Sequence, residues 1–142
     1  MKTPKIVIDT NILIAALRSK RGASFKLLSL VGRGIFEFAV SVPLVLEYEE
    51  TALRHAAELG ISKDAVDAIL DRICFWAEKR SIFFLWRPHL VDPEDDMVLE
   101  VAVESRADVI VTYNSRDFGD LGQFGIQVLT PKEFLQQIGV LP

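Results

Sequence analysis

Lys5-Ile6-Val7-Ile8-Asp9-Thr10-Asn11-Ile12-Leu13 opens with a short apolar run rich in β-branched residues and turns polar at Asp9. A run of that kind reads as a strand buried on both faces. The helix-forming residues after Asp9 follow without a linker. Far downstream, Ala107-Asp108-Val109-Ile110-Val111-Thr112-Tyr113-Asn114 repeats the pattern of apolar strand and polar exit. Between and beyond these two segments, strands and helices alternate. Strands are expected at Phe36–Ser41, Ser81–Leu85 and Ile126–Leu129. Helices are expected at Thr10–Leu17, Ala23–Val31, Pro43–Leu59, Ser62–Lys79, Asp92 or Asp95 to Arg106, and Pro131–Ile138. Buried strands separated by helices imply an α/β domain with a mostly parallel central sheet and helices on both faces. In such sheets the site lies beyond the carboxyl ends of the strands.

The whole chain bounds this reading. Its 142 residues suit one domain spanning 1–142, and half of them are hydrophobic. No apolar run reaches the roughly 18 residues of a membrane span. The N-terminal apolar run meets Asp9 after three residues, unlike a secretory leader, so a cytoplasmic protein is expected. Cys74 is the one cysteine, so no internal disulfide forms, and two histidines offer no zinc-like spacing. Net charge is −4, which disfavours a general nucleic-acid coat. Residues 1–36 nevertheless carry net +6, and the remainder −10. Arg18, Lys20 and Arg21 are the densest basic group, either a solvated face or an anion-attracting side.

The acids are tested by position. Asp9 follows a strand directly, but an aspartate there also suits the N-cap of the next helix. Asp92, Glu94, Asp95 and Asp96 crowd the start of another helix. One or two acids would complement its dipole; four repel one another unless a cation sits among them. Asn114 and Asp117 follow the second apolar strand, where turn chemistry alone would also explain an asparagine. Glu47 stands in the first turns of the Pro43 helix. Together these residues place oxygen donors at strand ends and helix starts, the donor set of hard cations such as Mg²⁺ or Mn²⁺. Helical spacing puts Asp96, Glu100 and Glu104 on one stripe and points Asp95 about 100° away. Asp96 is therefore the expected ligand and Asp95 the expected cap.

In order and local context these acids resemble the PIN-domain family, and in particular the VapC-like ribonuclease toxins of toxin–antitoxin pairs. The carrying segments are Ile6-Val7-Ile8-Asp9-Thr10-Asn11, Ser41-x-x-Leu44-x-x-Glu47, Asp95-Asp96-Met97-Val98-Leu99, and Ala107 through Phe118 with the Gly125-to-Leu135 ending. The resemblance implies a three-layer α/β sandwich and a metal-dependent endoribonuclease. Its partners would be an RNA substrate, a cognate antitoxin protein and a second copy in a homodimer. It implies that Asp9, Glu47 and Asp96 hold Mg²⁺ or Mn²⁺ and that water attacks a phosphodiester in line. Asn114 stands where the family often has aspartate, so Asp117 is the candidate fourth acid. Asn11 and Thr112 would orient the carboxylates, and Glu100 would be an outer ligand.

A catalytically idle PIN fold that binds RNA or protein is the rival reading. A phospho-acceptor receiver also places an aspartate after its first strand, but it needs an acidic pair before that residue and a late lysine, and neither is present. Phe83-Phe84-Leu85-Trp86 reads as core and strand edge, Phe75 and Trp76 as core or a dimer face, and Cys74 as a buried apolar residue. His55 and His89 are expected to be solvated or structural.

Overall fold

A computed structural model describes residues 3–81 and 93–142. Five parallel strands form one sheet in the order β3-β2-β1-β4-β5. They are β1 (Lys5–Ile8), β2 (Glu37–Val40), β3 (Glu78–Lys79), β4 (Val109–Val111) and β5 (Gln127–Leu129). The helices are α1 (Thr10–Arg18), α2 (Ala23–Ser29), α3 (Val42–Leu59), α4 (Lys63–Trp76), α5 (Pro93–Ser105), α6 (Ser115–Phe118) and α7 (Pro131–Gln137). The chain steps outward from β1 to β2 to β3, then returns to the other side of β1 for β4. Right-handed crossovers put the helices before and after such a reversal on opposite faces of the sheet. The reversal makes the gap between β1 and β4 the switch point, where a crevice opens at the strands' carboxyl ends.

Local chemistry sets the helix limits. Ser41 caps α3 by accepting from the Leu44 amide at 3.3 Å, with proline in the first turn. Gly60, with φ of 69°, closes that helix in the left-handed conformation that glycine adopts at no steric cost. Ser62 caps α4, and Thr130 and Glu133 form a reciprocal capping box on α7. The centre is dry: Ile6, Val7, Ile110, Val111, Val98 and Leu99 are all buried. Helix α5 packs against β1, β2 and β4, which is why its sequence is apolar around most of its circumference.

One element differs from the expectation. The helix read through Lys79 ends at Trp76, and Glu78–Lys79 is the edge strand β3. Helix propensity in Ala77-Glu78-Lys79 loses to pairing with Ala39 and Val40 and to the Lys5–Glu78 ion pair at 2.6 Å. The expected strand from Ser81 has its residues 82–85 outside the described part of the chain, as are Phe83 to Trp86, His89 and Asp92. Phe75 and Trp76 are not core but exposed, and pack edge-to-face at 5.0 Å. Cys74 is partly exposed. Among the described residues no helix is long and apolar enough to cross a membrane.

Tyr48 ties α3 to the sheet, donating its hydroxyl to the Ile8 carbonyl at the end of β1. Burial, and then the neighbouring Asp9 charge, push its ionisation far above the ordinary value of 10.0. Unfolding releases this phenol to ionise normally, so the unfolded state binds fewer protons at high pH. The Tyr48 contribution to stability is full below about pH 10 and is lost as pH climbs above it. Replacing Tyr48 by Phe should cost about 1 kcal/mol near neutral pH and flatten the alkaline loss of stability. Urea unfolding across alkaline pH checks both.

Candidate active site

Two strand exits meet at the switch point. The Asp9 amide donates to the Val111 carbonyl at 3.0 Å, which continues the β1–β4 pairing one residue past β1. Asp9 occupies the N-cap position of α1 yet makes no side-chain capping bond. Its Oδ2 instead accepts from the Thr112 hydroxyl at 2.7 Å. The Thr112 oxygen in turn accepts from the Asn114 amide at 3.0 Å and from Asn11 Nδ2 at 3.4 Å. One fully buried hydroxyl therefore joins the exits of β1 and β4. Asp108, at the other end of β4, accepts from the Lys5 amide at 2.9 Å and pins the sheet's amino edge. Strand direction alone separates these two aspartates.

The crevice above this network is a cleft of about 470 Å³. Asp9, Asn11, Glu47, Asp95, Asn114 and Asp117 line it, together with Arg18, Thr51, Arg54, His55 and Tyr113. Thr51 donates to Glu47 Oε1 at 2.9 Å from one turn along α3 and fixes that carboxylate. The Tyr113 hydroxyl lies 2.7 Å from Ser24 Oγ, tying the β4 exit to α2. Asn114 and Asp117 stand exposed at the cleft edge.

The sequence-derived candidates are thus partly assembled. Asp9, Glu47, Asp117, Asn11, Asn114 and Arg18 share the cleft wall, and Thr112 lies beneath it. Asp96 and Glu100 do not line the wall; they are 1% and 2% exposed, on the part of α5 packed into the fold. Asp95, assigned from the sequence to capping, is the α5 acid in the wall. Lys20 and Arg21 are exposed outside it. Among the described residues, no group of three or more His, Cys, Asp or Glu side chains is arranged to hold a metal ion.

Sequence reasoning missed Thr51, Arg54 and His55. The signal was present: from Glu47, positions four, seven and eight residues on share one face of a helix.

A PIN-domain family model matches residues 5–116 of the chain. This chain belongs to the PIN-domain family. The match runs from β1 through the polar exit of β4 and includes Asp9, Glu47, Asp95 and Asn114. Among solved structures, VapBC2 from Rickettsia felis, crystallised bound to a DNA fragment from its promoter, is similar in fold. The TM-score is 0.61 at 14% identity, over 87% of this chain and 98% of that one. No curated protein matches the chain in sequence.

Replacing Thr112 by Val would strip a donor from Asp9 and an acceptor from Asn11 and the Asn114 amide. The expected loss is about 1–3 kcal/mol, with most of it restored in Thr112→Ser. Denaturant unfolding of the two variants measures this.

Proposed function

We propose that this PIN-domain protein is a metal-dependent endoribonuclease and the toxin of a toxin–antitoxin pair. The observation that carries the reading is the cleft at the switch point, walled by Asp9, Glu47, Asp95 and Asp117. PIN domains are typically nucleases, and the fold similarity to VapBC2 agrees with this. A cognate antitoxin and a homodimer belong to the same reading.

The donor chemistry fits a hard cation, since every acidic and amide donor in the wall offers oxygen. A hard cation bound through one or two carboxylates keeps several waters, the usual habit of Mg²⁺. Asp9, with Glu47 or Asp95 from the same cleft wall, would hold it. When bound, such a cation activates water and offsets charge developing on a phosphate. The rest is the chain's own work. Thr112 and Thr51 keep the Asp9 and Glu47 carboxylates oriented, a supporting role that commonly affects metal affinity or activity by roughly 10–100-fold. Asp117 orients the attacking water from the cleft edge, and the Asn114 side chain meets the strand there. Asp96 and Glu100 lie buried behind the wall.

A catalytically idle PIN fold is favoured by one observation: Asn114, where the family often has aspartate, brings no charge to the β4 exit. The two readings separate on incubation of the purified protein with RNA in Mg²⁺ or Mn²⁺, with and without EDTA. Cleavage that EDTA abolishes is expected; RNA that is bound but intact selects the idle module, and cleavage unaffected by EDTA removes the metal from the account. Asp9→Asn should abolish cleavage while the protein stays folded. Asp95→Asn should lose at least as much activity as Asp96→Asn. Retained activity in Asp95→Asn, with loss confined to Asp96→Asn, returns the role to Asp96.

A further inference from the structure

The wall of the cleft carries basic side chains beside its acids. Arg18 lines it from α1, and Arg54 and His55 line it from α3. Each of these groups leans on a glutamate that is not part of the wall. Arg18 Nη2 lies 2.8 Å from Glu58 Oε1, and His55 Nδ1 lies 3.6 Å from Glu58 Oε2. Arg54 Nη1 lies 3.6 Å from Glu50 Oε1. The guanidiniums thus stand between the cleft and an outer row of counter-charges.

These pairs are poor stability devices. Both partners of each arginine pair are more than half exposed, and exposed ion pairs contribute little. They are also easily exchanged. A phosphate offers the planar guanidinium of Arg54 two oxygens for a bidentate, charge-assisted pair that its single 3.6 Å contact with solvated Glu50 does not match. Acids around the cleft repel a polyanion, so a strand that reaches them needs cations at the mouth. Among the described residues, Arg18 and Arg54 are the lysines or arginines that line this cleft, whereas Lys20 and Arg21, the rest of the basic cluster in sequence, lie outside it.

We propose that Arg18 and Arg54 form a subsite gripping a backbone phosphate of single-stranded RNA, and that the phosphate displaces Glu58 from Arg18. The nuclease reading enters only in the nature of the strand. Glu58 is then a competitor of the substrate, and its removal has the opposite sign to that of a structural bridge.

The test is binding of a short fluorescent single-stranded RNA in EDTA, read by anisotropy over a range of salt. Arg54→Ala should weaken binding about fivefold and reduce the slope of log affinity against log salt by about 0.7, the value for one phosphate contact on a single strand. Glu58→Gln should tighten binding about fivefold. Lys132→Ala removes an equal charge from an exposed position outside the cleft and should do neither. A melting temperature for Glu58→Gln guards against misfolding. The subsite is overturned if Arg54→Ala behaves as Lys132→Ala does, if Glu58→Gln melts lower and binds no more tightly, or if the wild type does not bind. The same measurement with single-stranded DNA separates the two claims. Tighter binding to DNA with the same variant pattern keeps the subsite and removes RNA as the substrate. An unchanged variant series in a protein that cleaves RNA removes the subsite and keeps the nuclease.

Discussion

The hydrogen bond from the Thr112 hydroxyl to Asp9 is the constraint on which the rest of the site depends. It exists because β1 and β4 run parallel side by side, so two segments distant in sequence end at the same level. The buried hydroxyl has one proton to give and two lone pairs to fill. Asp9 takes the proton, and Asn11 and the Asn114 amide take the lone pairs. Each polar group at the base of the cleft is thereby oriented by its neighbours rather than by solvent. A carboxylate held this way keeps its direction whether or not anything is bound, which is what a preorganised site requires.

Around that base the fold distributes roles by element. Strand β1 presents Asp9, α3 presents Glu47 with Thr51 behind it, the start of α5 presents Asp95, and the β4 exit presents Asn114 and Asp117. The same face of α3, followed two turns further, changes from acid to guanidinium and imidazole at Arg54 and His55. Acids near the base and arginines in the wall share one crevice, an arrangement suited to drawing in a polyanion and holding its phosphate beside oxygen donors. The glutamates paired with these arginines, Glu50 and Glu58, lie outside the cleft wall.

Much of this was legible in the sequence because strand direction is legible. Asp9 and Asp108 both flank apolar strands, but one follows and the other precedes, and only the follower can reach the crevice. A mostly parallel sheet with helices on both faces was implied by the apolar runs and their helical spacers, and the strand order came with the structure. Edge strand β3 was not legible: Glu78 and Lys79 carry no strand signal, and their conformation comes from pairing to Ala39 and Val40. Which α5 acid lines the cleft was also not legible: the stripe of Asp96, Glu100 and Glu104 pointed to Asp96, and the structure puts Asp95 in the wall. Adjacent residues on a helix diverge by about 100°, so the choice depends on how α5 is rolled against the sheet, and packing decides that. The α3 face was legible in principle through its spacing, but Arg54 and His55 gain meaning only once Glu47 is known to face a cleft.

The central claim is that the cleft between the ends of β1 and β4 is a divalent-cation site built on Asp9. Calorimetric titration of Mn²⁺ into metal-free protein, with and without Asp9→Asn, addresses it without any RNA. The account predicts saturable binding to the wild type that Asp9→Asn abolishes while its far-ultraviolet circular dichroism stays unchanged. Equal Mn²⁺ binding by the two proteins, or none by the wild type, would contradict it.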